Sequence, residues 1–184
     1  MKIDRNNTWR LVQERMERES DPKIRRNLEL VLQHMQLEAK ADIEGVVATL
    51  SENPKYVTHD MPDNDAMNPS GSKDAVRAFY DMTIVQTGAH QLELVCDRVI
   101  ADREAMMTEG VMRMAYPGRT LAAMGIDVDD PDAYYLFQTR MSVVWPIDPE
   151  SGMLVGEETY TGTDGFEGIA DRKLGPEDIV PLSI

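Results

Sequence analysis

Cysteine is nearly absent. Cys96 is the only one in 184 residues, so neither an intrachain disulfide framework nor a cysteine-based zinc site is available. Basic residues are scarce too: 19 Lys and Arg stand against 33 Asp and Glu, a formal net charge of −14. Such a chain lacks the clustered cations that neutralise phosphates, which excludes nucleic acid and an anionic membrane surface as partners. Long apolar runs are missing, and nothing approaches the roughly 18 consecutive apolar residues of a membrane span. The opening stretch MKIDRNNTWRLVQERMERES has no apolar centre and no small-residue cleavage site. A secretory signal is therefore not expected, and with one cysteine a cytoplasmic localisation is. Catalytic signatures are missing as well: no GxGxxG after a strand, no P-loop, no HExxH and no GxSxG. Asp127, Asp129, Asp130 and Asp132 crowd together, but without the glycine and final glutamate of a calcium loop they read as a solvated surface. Neither a metal nor an organic cofactor is expected.

What is present is a soluble globular composition, 42% hydrophobic and 28% charged, which is too apolar for a disordered chain. The length fits one domain over 1–184. Thirteen methionines supply adaptable apolar volume, for a core or for a permissive pocket. The first half reads helical. Residues 8–19 place Trp9, Val12 and Met16 at helical spacing. A second helix opens with Ser20 or Asp21 as N-cap and Pro22 in its first turn, with Ile24, Leu28, Val31, Leu32, Met35 and Ala39 on one face. Asp42 caps a third helix that Asn53-Pro54 ends. A short strand, KYVTH, and a turn-rich loop precede a fourth helix carrying Val76, Phe79 and Tyr80. From Gly88 on, four β-like runs follow: HQLELVCDRVIA, EAMMTEGVMRMAY, YLFQTRMSVVWPI and LVGEETYTG. Helices first and then an antiparallel meander imply an α+β fold with helices packed on one face of a curved sheet. The 116–134 insertion is too long for a tight hairpin, and the polar tail 166–184 reads as a surface arm.

Few groups are placed for chemistry. Cys96, inside an apolar strand, reads as a buried structural thiol. His34 lies four residues before Glu38 on the second helix and reads as a surface or core-edge residue able to pair with it. His59 ends the first strand in Tyr56-Val57-Thr58-His59-Asp60, a dense run of proton-handling groups, although alternation puts Tyr56 and His59 on opposite faces. His90 opens the next run on the face of Leu92 and Leu94. Glu109 lies in MMTEGVMRM, where a buried carboxylate would titrate high enough for acid–base work; pairing with Arg113 or Arg140 is the structural alternative.

The order DIEGVVATL, NPKYVTHDMP, GSKDAVRAFY, GAHQLEL and four strands ending in GMLVGEETYTG resembles the SnoaL-like group of the nuclear transport factor 2-like superfamily, over roughly residues 25–165. That superfamily includes ketosteroid isomerases, scytalone dehydratases, limonene epoxide hydrolases and polyketide cyclase relatives. The resemblance implies a cone: a curved antiparallel sheet, of cystatin-like barrel form, around a long helix with a central apolar pocket, and a homodimer through the sheet. It implies cofactor-independent acid–base chemistry, of isomerase, dehydratase, cyclase or lyase type, on an apolar cyclic or aromatic small molecule. His59 or Asp60 matches the general-base position, His90 the histidine that opens the strand after the fourth helix, and Glu109 the acid of the following strand. Tyr56 is the candidate oxyanion donor. Phe79, Tyr80, Arg140 and Trp145 are the candidate substrate-binding side chains. The alternative is a non-catalytic module of the same fold that binds a small molecule or serves dimerisation, since fold does not fix function.

Overall fold

The computed structural model describes residues 2–184. Capping fixes the helical half where the sequence signals it. Asp21 accepts the backbone N–H groups of Lys23 (2.9 Å) and Ile24 (3.2 Å), with Pro22 opening helix α2 (Pro22–Ala39). Asp42 caps α3 (Ile43–Ala48) through Gly45 N–H, and Ser72 caps α4 (Lys73–Tyr80) through Ala75 N–H. Helix α1 (Arg10–Glu17) packs on α2. Past Tyr80 the α4 helix widens into a π-type turn, Asp81–Gln86, a departure that often accompanies functional sites.

Strand β1 (Ile3–Asp4) and β8 (Ile179–Val180) form a two-stranded parallel ribbon. The main sheet runs in the order β2 (Val57–Thr58), β6 (Glu158–Thr161), β5 (Tyr134–Pro146), β4 (Ala105–Pro117), β3 (Leu92–Ala101), and β7 (Lys173–Leu174) pairs the start of β5. It is curved and not closed. The expected meander is antiparallel from β3 to β6, but β2 joins β6 in parallel, because the chain reaches it from the helical half. A bulge between Cys96 and Arg98 bends β3 opposite Gly110.

Alternation assigns the two faces. Met106, Thr108, Met112 and Met114 of β4, with Thr139, Met141, Val143 and Trp145 of β5, face the concave side. There α2 lays Leu28, Val31, His34 and Met35 against them. The convex side carries charge instead. Glu109 lies between Arg98 (2.9 Å) and Arg140 (2.6 Å), and Arg140 also pairs with Asp97. Glu93, 3% exposed, receives Asp4 N–H and Asn7 and faces Arg113, so it anchors the N-terminal segment.

Two peripheral expectations change. The insertion connects β4 to β5 as helix α5 (Gly118–Ala123) and an acidic loop that is tied down rather than simply solvated. The buried Tyr135 hydroxyl donates to Asp129 and receives Asp130 N–H, while Lys173 reaches both Asp129 (3.2 Å) and Asp130 (3.1 Å). The tail after Phe166 is not a free arm. Ile169 is 1% exposed against Leu121 and Tyr135, and Leu174 pairs with Tyr134. Burial of that order stabilises, so Ile169→Ala is expected to lower unfolding free energy by about 2–4 kcal/mol. Urea unfolding measures it; a loss under about 0.5 kcal/mol would mean that the tail contributes only as surface.

Candidate functional site

Between the concave face of the sheet, the end of α2 and α4 lies a cavity of about 520 Å³. Its walls are apolar: Met61, Met67, Met112, Met114 and Met141, with Phe79, Phe137 and Phe166. The methionine surplus thus serves a pocket as well as the core, as the adaptable thioether suits. Four hydrogen-bonding side chains interrupt this lining at its inner end: Glu38 from α2, Tyr56 from the stretch before β2, Tyr80 from the last turn of α4, and Glu157 from the residue before β6.

These groups and one hidden neighbour form a single network. The Tyr80 hydroxyl donates to Glu157 Oε1 at 3.0 Å, and the Tyr56 and Tyr80 hydroxyls are 3.1 Å apart. The one Tyr80 proton is committed to the carboxylate, so Tyr56 donates to Tyr80 and the chain points toward Glu157. Behind Glu157 stands His34, 0% exposed and outside the cavity lining. The Thr49 hydroxyl donates to Val46 C=O at 2.6 Å, so it must accept from His34 Nδ1 at 2.6 Å. With Nδ1 facing Thr49, Nε2 faces both Glu157 Oε1 at 3.2 Å and the Tyr80 hydroxyl at 3.4 Å. Trp145 meets the His34 ring edge-on at 5.5 Å and donates its indole N–H to Thr108, which fixes the imidazole plane.

Glu38 differs from Glu157 in that its side-chain carboxyl has no hydrogen-bond partner among the described residues. Burial in the apolar lining, reinforced by the charge of Glu157, pushes its carboxyl up to about 8. At neutral pH it is a carboxylic acid, a donor aimed at the cavity. Burial, and secondly the Glu157 charge, also hold the Tyr56 and Tyr80 hydroxyls well above the ordinary phenol range. The site therefore sets an unpartnered carboxyl, Glu38, beside one that Tyr80 and His34 engage. Gly156 makes this approach possible. Its φ is +153°, and a Cβ there would meet Lys55 C=O at 2.2 Å and the Tyr56 ring at 2.7 Å. Among the described residues, no group of three His, Cys, Asp or Glu side chains is placed to hold a metal ion.

The structure distributes the sequence candidates unevenly. Tyr56, Phe79 and Tyr80 meet at the inner end, their rings packed edge to face at 5.2–6.0 Å. Asp60 lines the cavity at its exposed end, where it accepts from Thr161 at 2.6 Å. His59 lies outside it, stacked on Tyr160 at 4.0 Å, with Nε2 3.5 Å from Glu158, because strand alternation turns it away. His90 precedes β3 outside the lining, and burial, then the Arg5 charge, lowers its pKa. Glu109 and Arg140 pair on the convex face, the structural alternative read from the sequence. Trp145 belongs to the core behind His34. Cys96 is largely buried in β3, and desolvation, with the Asp97 charge second, pushes its thiol up to about 12. His34 occupies a fully buried position rather than a surface or core-edge one, and it engages Thr49 and Glu157 rather than Glu38. Glu38 and Glu157 were not singled out from the sequence. The available signals were the position of Glu38 after the apolar face of α2 and the phase of Glu157 with Thr159 and Thr161.

Two outcomes follow from this geometry. In the folded protein Glu38 binds a proton more tightly than the ordinary 4.5 allows, so between about pH 4.5 and about pH 8 the folded state holds more protons than the unfolded state. Stability contributed by this group is full at low pH and declines as pH rises through that window. Glu38→Gln should flatten that decline, as thermal unfolding across the range will read, and an unchanged slope would contradict the burial. Gly156→Ala, which forces strain and a backbone clash, should cost about 2 kcal/mol or more in urea unfolding.

No family model matches the sequence, and no curated protein matches it. Solved structures do match its shape. A SnoaL-like protein from Shewanella putrefaciens CN-32 aligns with TM-score 0.65 at 8% identity, over 88% of this chain and 92% of that one. An NTF2-like protein of unknown function from Burkholderia pseudomallei K96243 aligns with TM-score 0.54 at 18% identity, over 85% and 98%. A computationally designed 17-OHP binder aligns with TM-score 0.54 at 16% identity, over 73% and 92%. These likenesses show the fold: a curved, open sheet wrapped on the α2 helix with its cavity at the inner face is the NTF2-like fold, and this chain has it.

Proposed function

We propose that the protein is a cofactor-independent acid–base enzyme acting on an apolar cyclic or aromatic small molecule in this cavity. One observation carries the reading: two carboxyl groups at the inner end of an apolar cavity sit in opposite environments, Glu38 unpartnered and pushed up to about 8, Glu157 held by Tyr80 and His34. Paired titratable groups driven apart by their environments divide the roles of acid and base. Glu157 is the base. It removes a proton from a carbon next to a carbonyl, and the electron pair moves onto the carbonyl oxygen. Glu38, still protonated, donates a hydrogen bond to that oxygen as charge develops. Return of the proton to another carbon is an isomerisation; capture of the enolate by an internal electrophile is a cyclisation. Tyr80 and His34 hold Glu157 in place, and Tyr56 holds Tyr80. Tyr56 directs its proton along this chain, so it serves as a positioning residue rather than an oxyanion donor. The 17-OHP binder, of like fold, supports a cavity suited to an apolar polycyclic guest. A homodimer and a cytoplasmic setting belong to the same proposal.

The test is hydrogen–deuterium exchange at the activated carbon of 2-tetralone, an apolar cyclic ketone, followed by NMR in D₂O. The wild-type protein should accelerate exchange, with the rate declining above about pH 8 as Glu38 loses its proton. Glu157→Gln should lower that acceleration by about 10²–10⁴-fold. His59→Ala and His90→Ala, outside the cavity, should keep the wild-type rate. Binding of the ketone without acceleration would overturn the enzyme reading and leave a ligand-binding module, and an undiminished rate in Glu157→Gln would overturn Glu157 as the base.

A further inference from the structure

We infer that the cavity selects its ligand by charge, admitting uncharged and cationic apolar molecules and rejecting carboxylates and phosphates, with Asp60 and Asp164 at its mouth as specificity-determining residues. The inference rests on the acid–base reading of the same cavity and adds the class of molecule that enters it.

All four ionisable carboxyl side chains of the lining are placed where an anion would meet them in turn. Asp60 and Asp164 lie at the exposed end, and Glu38 and Glu157 at the inner end. No Lys, Arg or His lines the cavity among the described residues. Three arginines on or beside the sheet are committed elsewhere. Arg140 is held by Asp97 and Glu109 on the convex face, and Arg113 by Glu93 and Gln138. Arg172 spends its guanidinium on the carbonyls of Leu136, Glu167 and Gly165, at 2.7–2.9 Å. An incoming carboxylate would therefore lose its hydration without finding a counter-ion, which is costly in an apolar cavity. It would also add negative charge beside Glu157.

The unpartnered carboxyl of Glu38 gives the selection its positive side. As a neutral acid it donates to a carbonyl, hydroxyl or ether oxygen. Facing an ammonium group it can give up its proton and become the counter-ion, with the three rings of Tyr56, Phe79 and Tyr80 alongside. Either head group satisfies it, whereas an anionic one leaves only the option of donating against the repulsion of three further acids. Exposed charges at the mouth act by field rather than contact, so their share of the discrimination depends on salt.

Three probes of one shape separate the outcomes: 2-naphthylmethanol, 2-naphthylmethylamine and 2-naphthoate, titrated by calorimetry at neutral pH and low salt. The alcohol and the amine should bind, and the carboxylate should bind at least about tenfold more weakly than the alcohol. The gap should narrow at high salt and in the double variant Asp60→Asn with Asp164→Asn, both exposed positions that a neutral amide can occupy. Naphthoate binding within about twofold of the alcohol would overturn charge selection while leaving the exchange of 2-tetralone, and with it the acid–base reading, standing. Failure of all three probes to bind would overturn both, because the cavity would then not be a small-molecule site.

Discussion

His34 stands inside the concave face of the sheet with both ring nitrogens engaged, and four separate segments meet on it. Its own helix supplies the ring, the C-cap of α3 supplies Thr49, the segment entering β6 supplies Glu157, and the end of α4 supplies Tyr80. A polar group this deep is tolerable only when every partner is in place, since an orphaned donor or acceptor there costs more than a typical hydrogen bond contributes. The network therefore acts as a gauge of the fold: it closes only if α2 lies correctly in the sheet, α3 returns to it, and the chain before β6 passes under Tyr56. Gly156 is the point where sterics permit that passage. The same interactions that fix the helix also define the chemical end of the cavity.

From that constraint the division of the site follows. Glu157 is engaged by the Tyr80 hydroxyl and the His34 imidazole at the bottom of an apolar space. Glu38, one helical turn beyond His34 and facing the cavity, receives nothing and keeps its proton. The two residues have the same chemistry, and environment alone separates their roles. The outer face of the sheet is the reverse case. There Glu109, Arg98, Arg140 and Asp97 satisfy one another at an accessible surface, so an acid in a methionine-rich strand ends as one part of a charge ladder. Such exposed pairs contribute little stability individually, but they keep the convex side polar and the apolar surface on the concave side.

Much of the fold could be read from residues in local registers. Asp21-Pro22, Asp42 and Ser72 mark helix starts because capping is decided within one turn. The four β runs are found because period-two patterning is also local. The parallel joining of β2 to β6 was not accessible this way, since it depends on where the helical half delivers the chain. The packing of the tail is inaccessible to local patterns for a similar reason. Its polarity and scattered glycines describe its outer side, while Ile169 and Leu174 find partners in Leu121, Tyr135 and Tyr134 far away in sequence.

The site was less accessible still. Glu157 sits among the acids of 150–158, where composition suggests surface, and only the phase it shares with Thr159 and Thr161 distinguishes it from Glu158. His59 and Asp60 drew attention because they adjoin Tyr56 in sequence, yet alternation sends His59 outward. The sequence by itself determined the main helices, the central strands, the methionine surplus and the scarcity of cations, since these depend on composition and short-range periodicity. Only the tertiary structure decided which acids the apolar space encloses. Desolvation and hydrogen-bond direction depend on groups brought together across more than a hundred residues of chain, as His34 and Glu157 are.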